Sequence, residues 1–380
     1  MKKYYLLAPG PTPIPPEVLQ AQSRPILHHR TPEFEALFAR VRAGLADLLE
    51  TRNEVLVLAA SGTGAMEAAV VNLCSPGDEV IVVRCGKFGE RWGEIGRAFG
   101  LRVHTVDAPY GDTVAPESVA AGLRAHPGTR ALFATQSETS TGVLEDIEAY
   151  ASLTRGTETL LVVDTVSSLG VVACPMNAWG IDVVVAGSQK GLMCPPGLAF
   201  IALNDRAWRA AERATCPRLY WDLPTERRWQ AKGQAQYTPA VSLLMGLDVA
   251  LRLLQAEGLP NVFRRHDRLA RAARAGAEAL GLTLFARATP SPAVTAIRAP
   301  AGVDGEAVVR VYGEEHNITI AGGQGEMKGK IFRLAHLGYV GEHDLIVGLA
   351  ALERVLARLG MPVDFGAAVG AAQRIFAKDA

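Results

Sequence analysis

Residues 159–190 read TLLVVDTVSSLGVVACPMNAWGIDVVVAGSQK. Two apolar runs, Thr159–Val163 and Val183–Ala186, are each short enough to be a buried strand. The first ends on Asp164 and the second on Ser188-Gln189-Lys190. Ligands of open α/β sheets sit beyond the carboxyl ends of parallel strands. An acid and a lysine delivered to one such edge therefore predict an α/β fold with a binding site at that edge.

Reading outward, the same grammar repeats. Val55–Ala60, Glu79–Val83, Leu101–Val106 and Arg130–Thr135 are predicted strands. Ala65–Leu73, Gly89–Phe99, Pro116–Ala125 and Ile147–Leu153 are predicted helices between them. Such alternation argues for a mostly parallel sheet covered on both faces. Leu198–Leu203 is predicted to run back across it. Before the sheet, APGPTPIPP at 8–16 is too rich in proline for a helix and reads as an extended arm. Residues 17–50 carry a helical pattern, with a good helix start at Thr31-Pro32-Glu33. Residues 215–240 read as irregular. Val241–Leu254 and Val262–Leu280 are long helices, the second bridging into a C-terminal unit. There Leu282–Phe285, Ala293–Ile297, Ile318–Ala321 and Ile331–Ala335 are predicted strands, and Glu306–Tyr312 and Asp344–Leu359 are predicted helices. The expected division is an arm over 1–16, a large domain over 17–257 and a smaller α+β domain over 258–380.

Composition narrows the function. The 380 residues hold 39 Lys+Arg against 39 Asp+Glu, a formal net charge of zero, and aromatics are only 6%. A nucleic-acid binder would show a basic run or patch, and none is present. Cys74, Cys85, Cys174, Cys194 and Cys216 are scattered without a C-x-x-C, which fits reduced thiols in a cytoplasm rather than a disulfide framework or zinc site. Met1-Lys2-Lys3 followed by Tyr4–Ala8 imitates the start of a leader, but the apolar run stops at Pro9-Gly10-Pro11. No run approaches a membrane span, and the closing Lys378-Asp379-Ala380 is not a peroxisomal address. His28 and His29 are adjacent and point apart, so no metal is expected there.

The chemistry-bearing residues suit a carbonyl-bearing aromatic cofactor, pyridoxal phosphate. Such a cofactor needs a lysine to bond its aldehyde, an acid to keep its ring nitrogen protonated, a donor-rich phosphate pocket and a flat cover for its ring. Lys190 follows a strand between small residues with apolar flanks, a setting that lowers a lysine's pKa. Asp164 ends a fully apolar strand, where a carboxylate needs a partner; the ring nitrogen and the next turn, Thr165–Ser168, are both available. Ser61–Ala65 is a strand–glycine–helix corner of the kind that faces a phosphate. It lacks the Lys-Ser/Thr of a P-loop, and Glu67 stands where a dinucleotide fingerprint needs glycine. Gln189 and Thr238 could add donors. Phe88 could cover the ring or fill a core. Arg333, inside Ile331–Ala335, needs an anion, either a substrate carboxylate or a structural salt bridge.

Together these stretches resemble the class V aminotransferases of PLP fold type I, and within them the alanine–glyoxylate and serine–glyoxylate branch. The matching stretches are APGPTP, SGTGAMEAA at 61–69, GERWGEI at 89–95, ETSTG at 138–142, VVDTVSSLG at 162–170, GIDVVVAGSQKGLMCPPG at 180–197, YTPAVSLL at 237–244 and GKIFRLAHLG at 329–338. The resemblance implies a large domain with a seven-stranded type of sheet. It implies that Lys190 bonds the cofactor and Asp164 meets its ring nitrogen. Gln189, Thr63, Gly64 and Ala65 would face its phosphate, Thr139 its hydroxyl side and Phe88 its ring. Arg333 would bind the substrate carboxylate, with Gly10 close by. Thr238 would reach the phosphate of a neighbouring subunit, implying a homodimer with shared active sites. Some relatives carry a tyrosine three residues before that threonine; here the position is Ala235, and Tyr237 could stand in.

The implied reaction moves the amino group of a small amino acid, serine or alanine, to glyoxylate or another 2-oxo acid in ping-pong order. Aspartate or phosphoserine aminotransferase is the rival reading. A second anionic group would need a second cation, for which Arg30 and Lys328 are candidates. Cysteine desulfurase is disfavoured by Gln189 before the lysine, by Gln136 and by the lack of cysteine over 300–340. An inactive scaffold is disfavoured by the joint presence of Lys190, Asp164 and Arg333.

Overall fold

The structure, a computed structural model, describes residues 3–378. Met1-Lys2, with which the leader-like opening begins, and Asp379-Ala380, which close the chain, lie outside the described residues. The central sheet has seven strands: β1 (Val55–Ala60), β2 (Glu79–Arg84), β3 (Arg102–Asp107), β4 (Ala131–Thr135), β5 (Leu160–Asp164), β6 (Val183–Gly187) and β7 (Gly197–Leu203). Their spatial order is β1-β7-β6-β5-β4-β2-β3. Strand β7 runs antiparallel to β1 and β6, as predicted, and the remaining pairings are parallel.

Both faces of the sheet are covered, which is why its strands other than the half-exposed edge strand β3 read as apolar runs. Side chains alternate between faces along each strand. Leu161 and Val163 join an apolar layer with Phe38, Val41 and Leu247. Leu160 and Val162 join the opposite layer with Met66, Val70 and Trp92. Each such fully buried side chain stabilises the fold by roughly 1.5–3 kcal/mol over leaving it in water. A third cluster gathers Leu7 with residues from Leu269 to Phe376 around a three-stranded antiparallel sheet. That sheet consists of β8 (Val294–Arg298), β9 (Ala321–Gly322) and β10 (Ile331–Ala335), in the order β8-β10-β9.

Several local expectations need correction. The helical pattern over 17–50 is two helices, Pro16–Gln22 and Pro32–Leu48. Pro25 breaks the chain between them, and the second helix starts on Thr31, whose hydroxyl accepts from the Phe34 N–H at 3.4 Å. Leu282–Phe285 is not a strand; Leu284 makes an isolated bridge to Ile297. Ile318–Ala321 divides, because Ile318-Thr319 pairs in parallel with Tyr5-Leu6 while Ala321 pairs with Arg333. The irregular 215–240 stretch contains the helix Leu223–Gln230, and the helices Asp205–Ala211 and Ala367–Lys378 were not anticipated.

The arm does more than extend. Beyond Leu6 it crosses from the third cluster to the sheet edge. The Ala335 N–H donates to Leu7 at 2.8 Å, and Thr12 N–H donates to the Gln189 carbonyl at 3.2 Å. Thr12 Oγ1 donates to the Lys190 carbonyl at 2.9 Å. The arm thus ties the strand of Arg333 to the loop of Lys190. No helix among the described residues is long and apolar enough to cross a membrane.

Candidate active site

The carboxyl edge of β4, β5 and β6 collects most of the predicted residues. Asp164 is the last residue of β5 and is 3% exposed. Its Oδ1 accepts from the Val166 N–H at 2.7 Å, so it does cap the following turn. Burial pushes its carboxyl up to about 7, with that hydrogen bond and the charges of Arg91 and Lys190 opposing the rise. Lys190 lies three residues beyond β6, in a turn closed by Met193 N–H to the Lys190 carbonyl at 3.1 Å. Its Nζ donates to the Pro9 carbonyl of the arm. Burial and the Arg333 charge lower its pKa to about 8, against the opposing pull of Asp164. A lysine so placed holds far more free amine near neutral pH than an exposed lysine does.

Gly10 is required where it stands. A Cβ there would come within 2.5 Å of Lys190 Cε and 2.7 Å of Cδ, and its φ of +140° excludes most side chains. The arm can therefore lie directly on the lysine side chain.

The corner after β1 supplies donors. The helix Gly62–Leu73 opens on Ser61, whose side chain makes no capping bond. The N–H groups of Gly64 and Ala65 donate to the Ser61 carbonyl at 2.9 and 3.4 Å, and those of Gly62 and Thr63, with the helix's positive end, are left for an anion. Gln189 faces the same corner: a Cβ on Gly187 would lie 2.9 Å from Gln189 Oε1 and 3.6 Å from the Gly62 nitrogen. Gln189 Oε1 is buried and has no hydrogen-bond partner.

Phe88 is half-buried and belongs to neither apolar layer of the sheet. Its backbone is held by Glu138, a residue that sequence reasoning did not single out. Glu138 is fully buried and accepts from Phe88 N–H at 2.8 Å, Gly89 N–H at 3.0 Å, Ser140 N–H at 3.1 Å and Ser140 Oγ at 2.6 Å. Burial raises its pKa, and these bonds oppose the rise. Its signal in the sequence was a carboxylate just beyond a buried strand, beside the Thr139 that the resemblance picked out.

Arg333 resolves one open alternative: no structural salt bridge holds it. Its Nη1 donates to the Thr139 carbonyl at 2.6 Å, and Nε and Nη2 donate to the Gly322 carbonyl at 3.0 and 2.7 Å. Among the described residues it pairs with no carboxylate. Burial lowers its pKa to about 10, with Glu138 opposing. A buried cation held by main-chain oxygens alone is suited to an anionic ligand.

Thr238 stands apart from this group. It is exposed and lines a small hollow with Leu58, Tyr220, Glu226 and Tyr237. Tyr237 stacks on Tyr220, with ring centroids 4.8 Å apart. Of the two candidate second cations, Arg30 sits over Trp229 at 4.9 Å and donates to Gln234, and Lys328 is exposed after a short turn. A surface hollow along Asn261–Arg271 shares no residue with this edge.

The residues present fit pyridoxal phosphate. The N–H groups of Gly62 and Thr63 and the positive end of their helix face one corner, where the Gln189 amide can turn its NH2 toward a phosphate. A carboxyl with a raised pKa can share a proton with a ring nitrogen, and a lysine with a lowered pKa can attack an aldehyde.

Comparison with known proteins agrees. The family profile described as "Aminotransferase class-V" matches residues 4–332. A relative from Synechococcus sp. named soluble hydrogenase, small subunit, is 46% identical, over 98% of each chain. The L-aspartate–glyoxylate aminotransferase of Paracoccus denitrificans is 38% identical, over 97% of this chain and 95% of its own. The serine–glyoxylate aminotransferase of Hyphomicrobium methylovorum is 35% identical, over 99% and 95%. Among solved structures, the alanine–glyoxylate aminotransferase of Nostoc sp. superimposes with a TM-score of 0.90 at 34% identity, covering 94% of this chain and 96% of its own. With a sheet of PLP fold type I, a lysine and an aspartate at its carboxyl edge and a family match along most of its length, the chain belongs to the class V aminotransferases, in their alanine/serine–glyoxylate branch, and is a pyridoxal-phosphate-dependent transaminase.

Proposed function

We propose that the protein transfers the amino group of a small monocarboxylic amino acid, serine or alanine, to glyoxylate or another 2-oxo acid. The observation that carries this reading is Arg333, a buried guanidinium held by two main-chain carbonyls with no carboxylate of its own. It offers one substrate carboxylate a single clamp. Arg30 is exposed and engaged with Gln234 and Trp229, and Lys328 is exposed, which favours a donor with one acidic group.

When bound, the cofactor supplies an electron sink for the substrate Cα. The chain's own residues do the rest. Lys190 holds the cofactor and then carries the proton to and from Cα. Asp164 keeps a proton on the ring nitrogen through its charge. The helix start at Thr63, Gly64 and Ala65 and the Gln189 side chain hold the phosphate. Phe88 covers the ring, and Thr139 borders its hydroxyl side. Arg333 orients the substrate carboxylate beside Gly10, and the arm shields the lysine from water. Thr238, exposed on this chain, serves the phosphate of a second copy, which makes the working unit a homodimer. Five separate buried cysteines, all free, support a reducing, cytoplasmic setting.

An aspartate donor is the second reading, favoured by the 38% identity to an L-aspartate–glyoxylate aminotransferase. Steady-state kcat/KM with glyoxylate as acceptor, measured for serine, alanine and aspartate, separates the two. The proposal expects serine or alanine to lead; aspartate leading by tenfold or more would replace it. The hydrogenase name stays with the relative that bears it. The one group of His, Cys, Asp and Glu among the described residues that could share an ion is Glu79, His104 and His126, and it includes no cysteine.

A further inference from the structure

The surroundings of Arg91 set it apart from the neighbouring cations of its helix. It lies on the helix Lys87–Ala98, three residues after Phe88, so the two share a helix face. Its guanidinium carbon sits 4.9 Å from the centre of the Phe88 ring. Its Nη1 donates to Thr63 Oγ1 at 3.2 Å. Arg91 is half-buried and makes no salt bridge among the described residues. Nearby cations differ in this respect: Lys87 pairs with Glu90, and Arg84 with Asp107 at 2.7 Å.

The partner of Arg91 makes its position informative. Thr63 lies in the first turn of Gly62–Leu73, at the positive end of that helix. A cation brought to a helix amino terminus meets a like-signed field. Among the described residues no carboxylate pairs with Arg91 to offset it. An anion between the guanidinium and the Gly62 and Thr63 N–H groups would satisfy both, and Gln189 faces the same corner. The charge of Arg91 is also felt at Asp164 and Lys190, which puts it on the site's side of its helix.

We infer that Arg91 is a phosphate-binding residue of the cofactor site, acting beside Thr63. One helical turn would then grip both ends of one cofactor, with Phe88 on the ring and Arg91 on the phosphate. This rests on the reading of the 61–65 corner as the phosphate pocket.

The test compares pyridoxal phosphate with pyridoxal, which lacks the phosphate, in equilibrium titrations of the apoprotein followed by tryptophan fluorescence. Wild-type protein should bind the phosphorylated form far more tightly. Arg91→Gln should raise the Kd of pyridoxal phosphate by roughly 10- to 100-fold, the span of one charged hydrogen-bonded contact, and leave that of pyridoxal within about twofold. Arg91→Lys should recover part of the loss, and Arg97→Gln, at an exposed position on the same helix, should change neither. Circular dichroism of each variant should match wild type. An unchanged Kd for pyridoxal phosphate in Arg91→Gln overturns the inference. So does an equal loss for both ligands, which would make Arg91 a support of the ring site only. Wild-type protein that prefers neither ligand would sink the reading of the corner itself, and this inference with it.

Discussion

Two buried aspartates stand at opposite edges of the same sheet, and they are treated differently. Asp182, just before β6 at the amino edge, is surrounded by donors. Its side chain accepts from Leu161 N–H at 2.8 Å and Asn204 Nδ2 at 2.7 Å, and Arg206 lies 3.5 Å away. Asp164, at the carboxyl edge, accepts one backbone N–H and pairs with no cation among the described residues. Burial raises the pKa of both. A structural carboxylate is completed by its own protein. Asp164 is left incomplete, as Arg333 is, and the missing partners belong to the ligands.

The largest effect should come from Lys190→Ala. Loss of the proton-carrying amine should lower kcat by roughly 10²–10⁴-fold or more; turnover at the wild-type rate would end the assignment. Next, Asp164→Asn should lower kcat on the order of 10²–10³-fold, as for the loss of one preorganised charge, with little loss of stability. Asp182→Asn should do the reverse, costing about 1–3 kcal/mol in denaturant unfolding while kcat per folded molecule stays unchanged. If the two variants behaved alike, the contrast between the edges would fail.

Arg333→Lys should raise KM for every carboxylate substrate by about tenfold, since a point charge replaces a planar fork. An unchanged KM would return Arg333 to a structural role.

The smallest effect is in pH dependence. Asp164 has a folded-state pKa raised from 3.8 to about 7. Its contribution to apoprotein stability is therefore fully present below the unfolded value and is lost as pH rises through about 7. Denaturant unfolding of the apoprotein between pH 4 and 8 should lose stability in that direction, by roughly a few kcal/mol. Asp164→Asn should flatten the curve, and an identical slope in the variant would contradict the account.

Much of this was legible in the chain itself. The inner strands showed because strands covered on both faces become unbroken apolar runs, the edge strand β3 because Val103 and Val106 are interspersed with polar residues, and the site residues because they interrupt the runs. Helices that owe their place to packing were harder to see. Leu223–Gln230 is short and highly charged, and the buried face of Ala367–Lys378 is mostly alanine (Ala368, Ala371 and Ala372, with Phe376), which marks a stripe less plainly than leucine or valine. Of the site, Lys190, Asp164 and Arg333 stood out as charges among apolar neighbours. Glu138 and Arg91 did not, because their meaning lies in contacts between distant segments: Glu138 to the Phe88 backbone, Arg91 to Thr63. The structural environment of Arg333, main-chain oxygens rather than a carboxylate, could not be read from its strand.

The most direct test of the central claim is a half-reaction. Purified protein loaded with cofactor is mixed with serine or alanine, without acceptor, and its visible absorbance is followed. The account predicts that the yellow band bleaches, that one keto acid per subunit forms, and that glyoxylate restores the colour. A band that persists with both donors, or that bleaches equally well in Lys190→Ala, would contradict it.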